Sequence, residues 1–292
     1  MPLVFHHISK TGGSSVHQAL VEELNLKAHP ERHGGFGDLP HEALLQFDLL
    51  SSHFWPSDLT QLETLPDAWF ATLLRDPVER FISEYDFFRT RSDEELRRLL
   101  DPAPLLQARH SSPEDYFRFV IERRQDNRMT RSLWPVAGEV TEADVGKAIG
   151  RLETFAVVGI SDFLDEFLEI LFERLGRKRD FQPVFVNTRG NFKDPSRADG
   201  VFTRTQRSDV EEATWHEVTW ADARVFRHFE QIFLRDNIER IVQTRKAYGK
   251  WLQCEPKSAA QIQLENHIKQ VRASWRWRLT RPLQKLRGLT GR

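Results

Sequence analysis

Short apolar runs separated by helix-like stretches make up the first 90 residues of the chain. The runs are Leu3–Ile8, Phe47–Ser52 and Trp69–Leu74. Each has the length of a buried strand. Apolar residues recur at helical spacing over Ser15–Leu26, which predicts an amphipathic helix after the first run. Strands that alternate with helices in this order predict a parallel sheet with right-handed crossovers.

The rest of the chain is richer in helix than in strand. The predicted segments are a charged helical region at 93–151, a strand at Phe155–Ile160, a helix at Asp162–Leu175, a loop at 187–200 and a long amphipathic helix from about Trp220 to Ile241. Gly176 is expected to end the second of these helices, because glycine adopts the left-handed conformation that stops a helix. The fold class is therefore α/β.

Composition narrows the class of protein further. One cysteine, Cys254, excludes an internal disulfide and a cysteine-based metal site, which favours a reducing compartment. No apolar run approaches the roughly 18 residues of a membrane span. The first strand begins at Leu3, directly after Met1 and Pro2, so we expect no signal peptide and a cytoplasmic location.

The net charge of −1 conceals a basic C-terminal segment. The stretch 267–292 holds eight basic residues and no acidic one, which leaves 34 basic against 43 acidic residues, or −9, for the first 266. Apolar residues recur at helical spacing between the arginines of this stretch. Two interpretations stay open: a helix on an anionic membrane surface, or a helix packed on the acidic body. Nucleic-acid binding is not expected, because the charge lies in one terminal segment.

A Gly-Gly loop follows the first strand and is typical of a phosphate site. Glycines let the backbone approach a ligand, and the N terminus of the following helix attracts anions. The residues that would contribute are Lys10, Thr11, Gly12, Gly13, Ser14 and Ser15. The nucleoside-triphosphate P-loop places its lysine after the glycines, whereas Lys10 precedes them. Taken alone, the motif is equally compatible with a tight strand-to-helix turn.

A second motif follows the third strand. Asp76 and Pro77 are typical of a helix start, with the aspartate as cap. Arg75 lies just before them and Ser83 eight residues later, close enough to grip one phosphate together. A helix cap with surface charges is the alternative, and Arg80 with Glu84 predicts an ion pair along the helix.

Together these two motifs resemble the PAPS-dependent carbohydrate sulfotransferases related to heparan sulfate uronyl sulfotransferases and their bacterial members (PAPS, 3′-phosphoadenosine 5′-phosphosulfate). Residues 7–15 match the family's His-Ile-Pro-Lys-Thr-Gly-Gly-Thr-Ser, with Ser9 in place of Pro and Ser14 in place of Thr. Residues 74–85 match Leu-Arg-Asp-Pro-Val-Glu-Arg-Phe-x-Ser-x-Tyr at every specified position. Weaker similarity at 126–133 and 155–160 extends the resemblance over roughly residues 3–240.

The resemblance implies a fold, a donor and a metal-free reaction. The fold would be a P-loop-like three-layer α/β domain over 1–256, followed by a basic amphipathic helical tail over 257–292. Lys10 to Ser15 would hold the 5′-phosphosulfate, and Arg75 with Ser83 the 3′-phosphate. Lys10 would also neutralise charge on the bridging oxygen during transfer.

His53 is the general base that the resemblance implies. It follows the second predicted strand, and the family's Gly-His is Ser52-His53 here. An imidazole suits proton transfer near neutral pH. His41 and Glu42 are fallback bases, and His6 and His7 are expected to pack beside the loop.

The acceptor is expected to be a hydroxyl of a carbohydrate or glycolipid. Candidate residues for it are Trp55, Trp134, Arg128, Arg131 and Arg189, with the donor's 3′-phosphate as the alternative ligand of the three arginines. A core role for the tryptophans and solvent exposure for the arginines are the alternatives. Two other functions stay open: a kinase with a degenerate P-loop and Asp48 as magnesium ligand, and a non-catalytic glycan- or membrane-binding relative. Neither the acceptor sugar nor the oligomeric state follows from the sequence.

Overall fold

A computed structural model describes residues 2–29, 36, 39–91, 102–178 and 203–251, with the backbone alone over 245–251. The strands are β1 (Leu3–His6), β2 (Leu49–Ser52), β3 (Trp69–Leu74) and β4 (Val157–Ile160). The helices are α1 (Gly13–Leu24), α2 (His41–Leu44), α3 (Pro56–Leu62), α4 (Pro77–Arg89), α5 (Ala103–His110), α6 (Pro113–Glu122), α7 (Arg128–Leu133), α8 (Glu142–Glu153), α9 (Leu164–Arg174) and α10 (Glu212–Trp251).

The four strands form one parallel sheet in the order β2-β1-β3-β4. This confirms the predicted α/β class with a parallel sheet flanked by helices. His6 pairs in register with Ser52 on one side and with Thr72 on the other. The segments that follow β1, β2 and β3 therefore leave the same carboxyl edge, where open α/β sheets bind ligands.

Alternate residues of the strands serve two different cores. Leu3 and Phe5 of β1 pack with apolar residues of α1 and α9 on one face. Val4 belongs to the cluster on the other face, which α3, α7, α8 and α10 complete. Gly159 in β4 permits the close approach of α9, since a Cβ there would lie 2.1 Å from the Phe167 ring. The sheet is thus covered on both faces, as a parallel sheet requires.

A third core fixes α4, the helix after β3. Phe81 of α4, Phe117 of α6 and Trp215 of α10 are all buried in it. The predicted cap is confirmed, because Asp76 accepts a hydrogen bond of 2.9 Å from the Glu79 N–H.

The observed bounds differ most from the predicted ones at the last helix. Its expected start near Trp220 is wrong: α10 begins at Glu212, because Trp215 already packs in the third core. The helix also continues past Ile241, through a kink at Asn237. Gly176 ends the preceding helical segment with a φ of 69°, as predicted. The expected loop at 187–200 and the tail at 257–292 lie outside the described residues.

Candidate anion-binding and catalytic site

The loop between β1 and α1 turns through two left-handed residues, Lys10 with a φ of 66° and Gly12 with a φ of 104°. The buried Thr11 hydroxyl donates to the Ile8 carbonyl at 2.8 Å and so fixes the turn rather than facing outward. No side chain caps α1 at Gly12. The first-turn N–H groups therefore keep the partial positive charge that attracts anions to a helix N terminus.

Gly13 allows the loop to lie directly on the His7 ring. A Cβ at this position would be 1.9 Å from the His7 Cδ2 atom, which no real side chain tolerates. Of the two predicted serine ligands next to it, Ser14 is exposed and Ser15 is buried. Ser14 is therefore the better placed hydroxyl for a ligand.

Arg75 lies against this loop. Its Nη1 donates to the Lys10 carbonyl oxygen at 3.0 Å, and its Nη2 is 3.7 Å from the Glu79 carboxylate. Arg204 contacts the same carboxylate. Burial lowers the pKa of Arg75, an effect that Glu79 opposes, and a guanidinium stays charged at neutral pH. The structure thus brings the two predicted anion-binding segments into contact.

One face of α4 lines the loop and carries Ser83. Arg80 Nη1 is 3.5 Å from the Ser9 hydroxyl, and Lys10 Nζ lies 3.7 Å from the centroid of the Phe87 ring. Ser83 lies three residues after Arg80 and four before Phe87, and such residues share one helix face. Ser83 is half-buried on this face, on the side of the loop.

The predicted Arg80–Glu84 pair exists, but it is a buried pair rather than a surface one. Arg80 is fully buried, 2.8 Å from the Glu84 carboxylate, and its Nε and Nη2 have no hydrogen-bond partner among the described residues. Burial alone raises the pKa of Glu84, but Arg80, Arg128 and Lys10 together hold that pKa below its ordinary value. Three cations thus act on one buried carboxylate, and Arg80 is the one that forms an ion pair with it.

His53 lies on the other side of the loop from Arg75. Its Nδ1 is 2.5 Å from the His7 carbonyl oxygen, and the two imidazole centroids are 4.2 Å apart. A carbonyl only accepts, so Nδ1 carries the proton and Nε2 of the neutral ring holds the lone pair. That nitrogen is therefore the one able to take a proton from a substrate.

The other two histidines of the cluster are buried, as predicted. Burial, with smaller contributions from His53, His7 and Arg151, lowers the pKa of His6 to about 3. His6 is therefore neutral at physiological pH and serves packing.

Trp55 follows two residues after His53 and is 62% exposed. A single exposed aromatic residue is common at a protein surface and does not by itself mark a binding site. Its backbone N–H is engaged by Asp58 at 2.8 Å, which fixes the start of α3 and leaves the ring at the surface.

The segment 126–133 has mainly a structural role. Asn127 accepts from the Ala221 and Asp222 N–H groups, and Asp222 accepts from Met129 and Thr130. These bonds fasten α7 to α10.

The two arginines of that segment differ. Arg131 is held by Asp126 and by the carbonyls of Val136 and Gly138, so its side chain is already engaged. Arg128 is half-buried, and its charge acts on Glu84 beneath the loop. The acceptor role predicted for both stays a prediction, and the contacts favour Arg128. Arg189 lies outside the described residues.

The two fallback bases, His41 and Glu42, and the magnesium ligand of the kinase alternative, Asp48, are remote from the loop. Asp48 immediately precedes β2, at the opposite end of that strand from His53, and accepts from the Lys27 N–H at 2.9 Å. His41 Nε2 is 3.1 Å from the Thr64 hydroxyl, in the segment that leads into β3. Glu42 lies beside it in α2. None of these three lies at the carboxyl edge of the sheet.

Sequence reasoning missed the contribution of Glu79 and Arg204 to the Arg75 site. Glu79 belongs to the second motif but has no assigned role there, and Arg204 reaches it from a segment 125 residues later. Asp86 anchors that segment by accepting from the Thr205 N–H and hydroxyl. Nothing local to Arg204 in the sequence signals this contact.

No protein-family model matches the chain, and no curated protein is significantly similar to it. The sulfotransferase resemblance therefore rests on the sequence motifs alone. Among the described residues, no group of three or more His, Cys, Asp or Glu side chains is placed to hold a metal ion. The helices of the described part of the chain include none that is long and apolar enough to cross a membrane.

Proposed function

We propose that the protein is a sulfotransferase that moves the sulfuryl group of PAPS to a hydroxyl of a carbohydrate or glycolipid acceptor. The observation that carries the proposal is the hydrogen bond from Arg75 to the Lys10 carbonyl. It joins two separate anion-binding segments at one sheet edge, which suits a donor with two separate phosphate groups. We also propose that the α/β fold is of the P-loop-like type.

The residues at this edge fit such a donor. The α1 N terminus, Lys10 and Ser14 would hold the 5′-phosphosulfate, with Gly13 permitting the close approach. Arg75 and Ser83 would hold the 3′-phosphate. Lys10 Nζ, which lies over the Phe87 ring of α4, and the Arg75 guanidinium, which donates to the Lys10 carbonyl, both supply positive charge at this loop. PAPS supplies the transferable sulfuryl group.

His53 would act as general base. As the acceptor oxygen bonds to sulfur, its proton passes to His53 Nε2, and the bond between sulfur and the bridging phosphate oxygen breaks. The electron pair of that bond remains on the 5′-phosphate, where Lys10 stabilises the charge. The His7 carbonyl keeps Nδ1 protonated and so keeps Nε2 in its basic form.

Trp55 supports a carbohydrate acceptor. An exposed indole two residues after the base offers a flat apolar surface on which the C–H face of a sugar ring would pack. A kinase is less well supported, because Asp48 lies at the other end of β2 from the loop and Lys10 precedes the glycines.

The cellular location, the domain bounds and the role of the tail are proposed from the sequence alone. We propose a cytoplasmic enzyme whose catalytic domain spans 1–256. Its tail at 257–292 would contact either an anionic membrane surface or the acidic body. A non-catalytic relative that keeps the fold is the remaining alternative.

Calorimetric titration tests the donor assignment directly. We expect adenosine 3′,5′-bisphosphate to bind the full chain at micromolar concentration or below, and ATP with magnesium to bind at least tenfold more weakly. Tight ATP binding without bisphosphate binding would overturn the proposal. Incubation with labelled PAPS and a panel of glycans, followed by mass spectrometry, then tests transfer itself.

A further inference from the structure

Two arginines share one carboxylate oxygen at the candidate donor site. Glu79 Oε2 lies 3.7 Å from Arg75 Nη2, and the same oxygen accepts a hydrogen bond from Arg204 Nη2. A separation of 3.7 Å exceeds hydrogen-bonding distance, so Glu79 is hydrogen-bonded to Arg204 and only electrostatically attracted to Arg75. Among the described residues, Arg75 makes its hydrogen bond through Nη1, to the Lys10 carbonyl, which leaves Nη2 for a ligand.

The backbone next to Arg204 is tied to the far end of α4. Asp86 accepts from the Thr205 hydroxyl at 2.7 Å and from the Thr205 N–H at 3.3 Å. Glu79 precedes Asp86 by seven residues, which is two helical turns, so the two carboxylates lie on one face of α4 about 10 Å apart. The attachment to Asp86 thus sets where the Arg204 side chain begins, independently of its contact with Glu79.

The charges around Arg75 make Glu79 a competitor for any phosphate that this arginine binds. Burial lowers the pKa of Arg75, whereas Glu79 raises this pKa and Arg204 lowers it, so both charges act on the guanidinium. Asp162 and Asp76 also raise the pKa. A phosphate on Nη2 would bring negative charge close to Glu79, and like charges repel strongly in a partly buried site.

We infer that Arg204 is a positioning residue for the donor: by pairing with Glu79, it offsets the carboxylate that would repel the 3′-phosphate and leaves Arg75 to bind that group. The inference rests on the proposed function for the identity of the phosphate. It adds a specificity-determining residue from outside both motifs, 125 residues after Glu79. Direct binding of the phosphate by Arg204 is the alternative, and it is disfavoured because Nη2 is engaged by Glu79 and Nε is buried.

Calorimetric titration with adenosine 3′,5′-bisphosphate and with 5′-AMP, which lacks the 3′-phosphate, tests the inference on the full chain. Arg204→Met should weaken binding of the bisphosphate about tenfold and change binding of 5′-AMP less than about twofold. Arg204→Lys, which keeps the charge, should bind the bisphosphate within about threefold of wild type. Glu79→Gln should tighten bisphosphate binding about threefold, because the competing carboxylate is gone.

The double variant Glu79→Gln with Arg204→Met separates positioning from direct binding. It removes the carboxylate together with its partner, so bisphosphate affinity should return to within about threefold of wild type. Direct binding by Arg204 would leave the double variant as weak as Arg204→Met. The matched control is a second arginine–glutamate pair between distant segments, Arg240 with Glu173 at 2.7 Å, and Arg240→Met should bind both nucleotides as wild type does.

Failure of this inference is distinguishable from failure of the proposed function. With bisphosphate binding intact in wild type, the inference is overturned by a double variant as weak as Arg204→Met, by an Arg204→Met as tight as wild type, or by weaker binding in Glu79→Gln. Parallel loss of 5′-AMP and bisphosphate binding in Arg204→Met would show a purely structural role and would also overturn it. Absence of bisphosphate binding in wild type would overturn the proposed function, and the inference with it.

Discussion

The Nδ1 atom of His53 lies 2.5 Å from the carbonyl oxygen of His7, which ties the residue after β2 to the segment after β1. The same His7 ring lies against Gly13 at the start of α1. The candidate base and the candidate anion-binding loop therefore both contact His7. Their relative position is set by backbone and ring contacts within the sheet edge.

Replacement of His53 by Ala should remove catalysis and spare donor binding. We expect kcat for sulfuryl transfer to fall by about 10²- to 10⁴-fold, because the acceptor proton loses its base. Binding of adenosine 3′,5′-bisphosphate should change less than about threefold, since no phosphate contact is assigned to His53. The exposed His216 on α10 provides the control variant His216→Ala. Unchanged transfer by His53→Ala would contradict the assignment.

Replacement of Arg75 by Ala should remove recognition of the 3′-phosphate selectively. Affinity for adenosine 3′,5′-bisphosphate should fall about 10- to 100-fold, the value of charge-assisted hydrogen bonds. Affinity for 5′-AMP, which lacks that phosphate, should change little, and Ser83→Ala should show a smaller loss of the same kind. Arg207→Ala removes an exposed arginine as control. Equal weakening of both nucleotides would show that Arg75 acts through the loop, by way of the Lys10 carbonyl.

Replacement of Gly13 by Ala should disturb the loop and the base together. The added methyl group would overlap the His7 ring, so we expect the free energy of unfolding to drop by about 1–3 kcal/mol. Urea denaturation measures this change, and kcat should fall in the same variant. Gly138→Ala, where an added Cβ meets nothing within 4 Å, should leave both quantities near wild type. Full stability in Gly13→Ala would refute the close packing described here.

Neutralising Glu84 should be costly, because it leaves the fully buried Arg80 without its counter-charge. We expect Glu84→Gln to lower the free energy of unfolding by about 3–5 kcal/mol. The double variant Arg80→Met with Glu84→Leu should recover most of that loss. Glu212→Gln, which removes one partner of an exposed ion pair with Arg207, should change stability by about 0.5 kcal/mol or less. A similar loss of stability in Glu84→Gln and in Glu212→Gln would argue against a buried pair of Arg80 and Glu84.

His6 should make stability depend on pH between about 3 and 6.5, a window that extends above the range in which carboxylates titrate. Its pKa is about 3 in the folded chain and about 6.5 when unfolded, so the unfolded chain binds more protons between these values. Stability contributed by the neutral ring is therefore present above pH 6.5 and is lost as the pH falls.

Urea denaturation at several pH values measures this effect. From pH 6.5 to 5, one such histidine lowers the free energy of unfolding by about 1.5 kcal/mol. Over the same pH interval, the free energy of unfolding of the variant His6→Asn should fall by about 1.5 kcal/mol less than that of wild type. An identical slope in variant and wild type would show that His6 takes up its proton without unfolding the chain.

Elements defined by neighbouring residues were predictable. β3 runs over Trp69–Leu74 as the apolar run predicts, and Asp76 caps the helix that follows. The early strand and helix bounds deviate by about two residues, because helix and strand ends depend on contacts as well as on local pattern. The carboxyl-edge placement of His53 also followed, since it requires only parallel strands of known order along the chain.

Contacts between distant segments were not predictable. Arg204 reaches Glu79 from a segment 125 residues away, and α10 starts earlier than its pattern indicates because Trp215 packs beneath α4. The pair of Arg80 and Glu84 has the spacing of a surface ion pair, and only the packing around it makes it a buried one.

By itself, the sequence determined the chemical groups of this protein: a glycine loop with Lys10, an arginine after β3 and a histidine after β2. The tertiary structure decided which of them meet. Strand order put β1 between β2 and β3, and this order alone brings Arg75 and His53 to opposite sides of one loop. Residue spacing along the sequence sets the face of a helix or strand on which a side chain lies. Whether residues from different strands meet depends on how the strands pair and on the burial of both faces of the sheet.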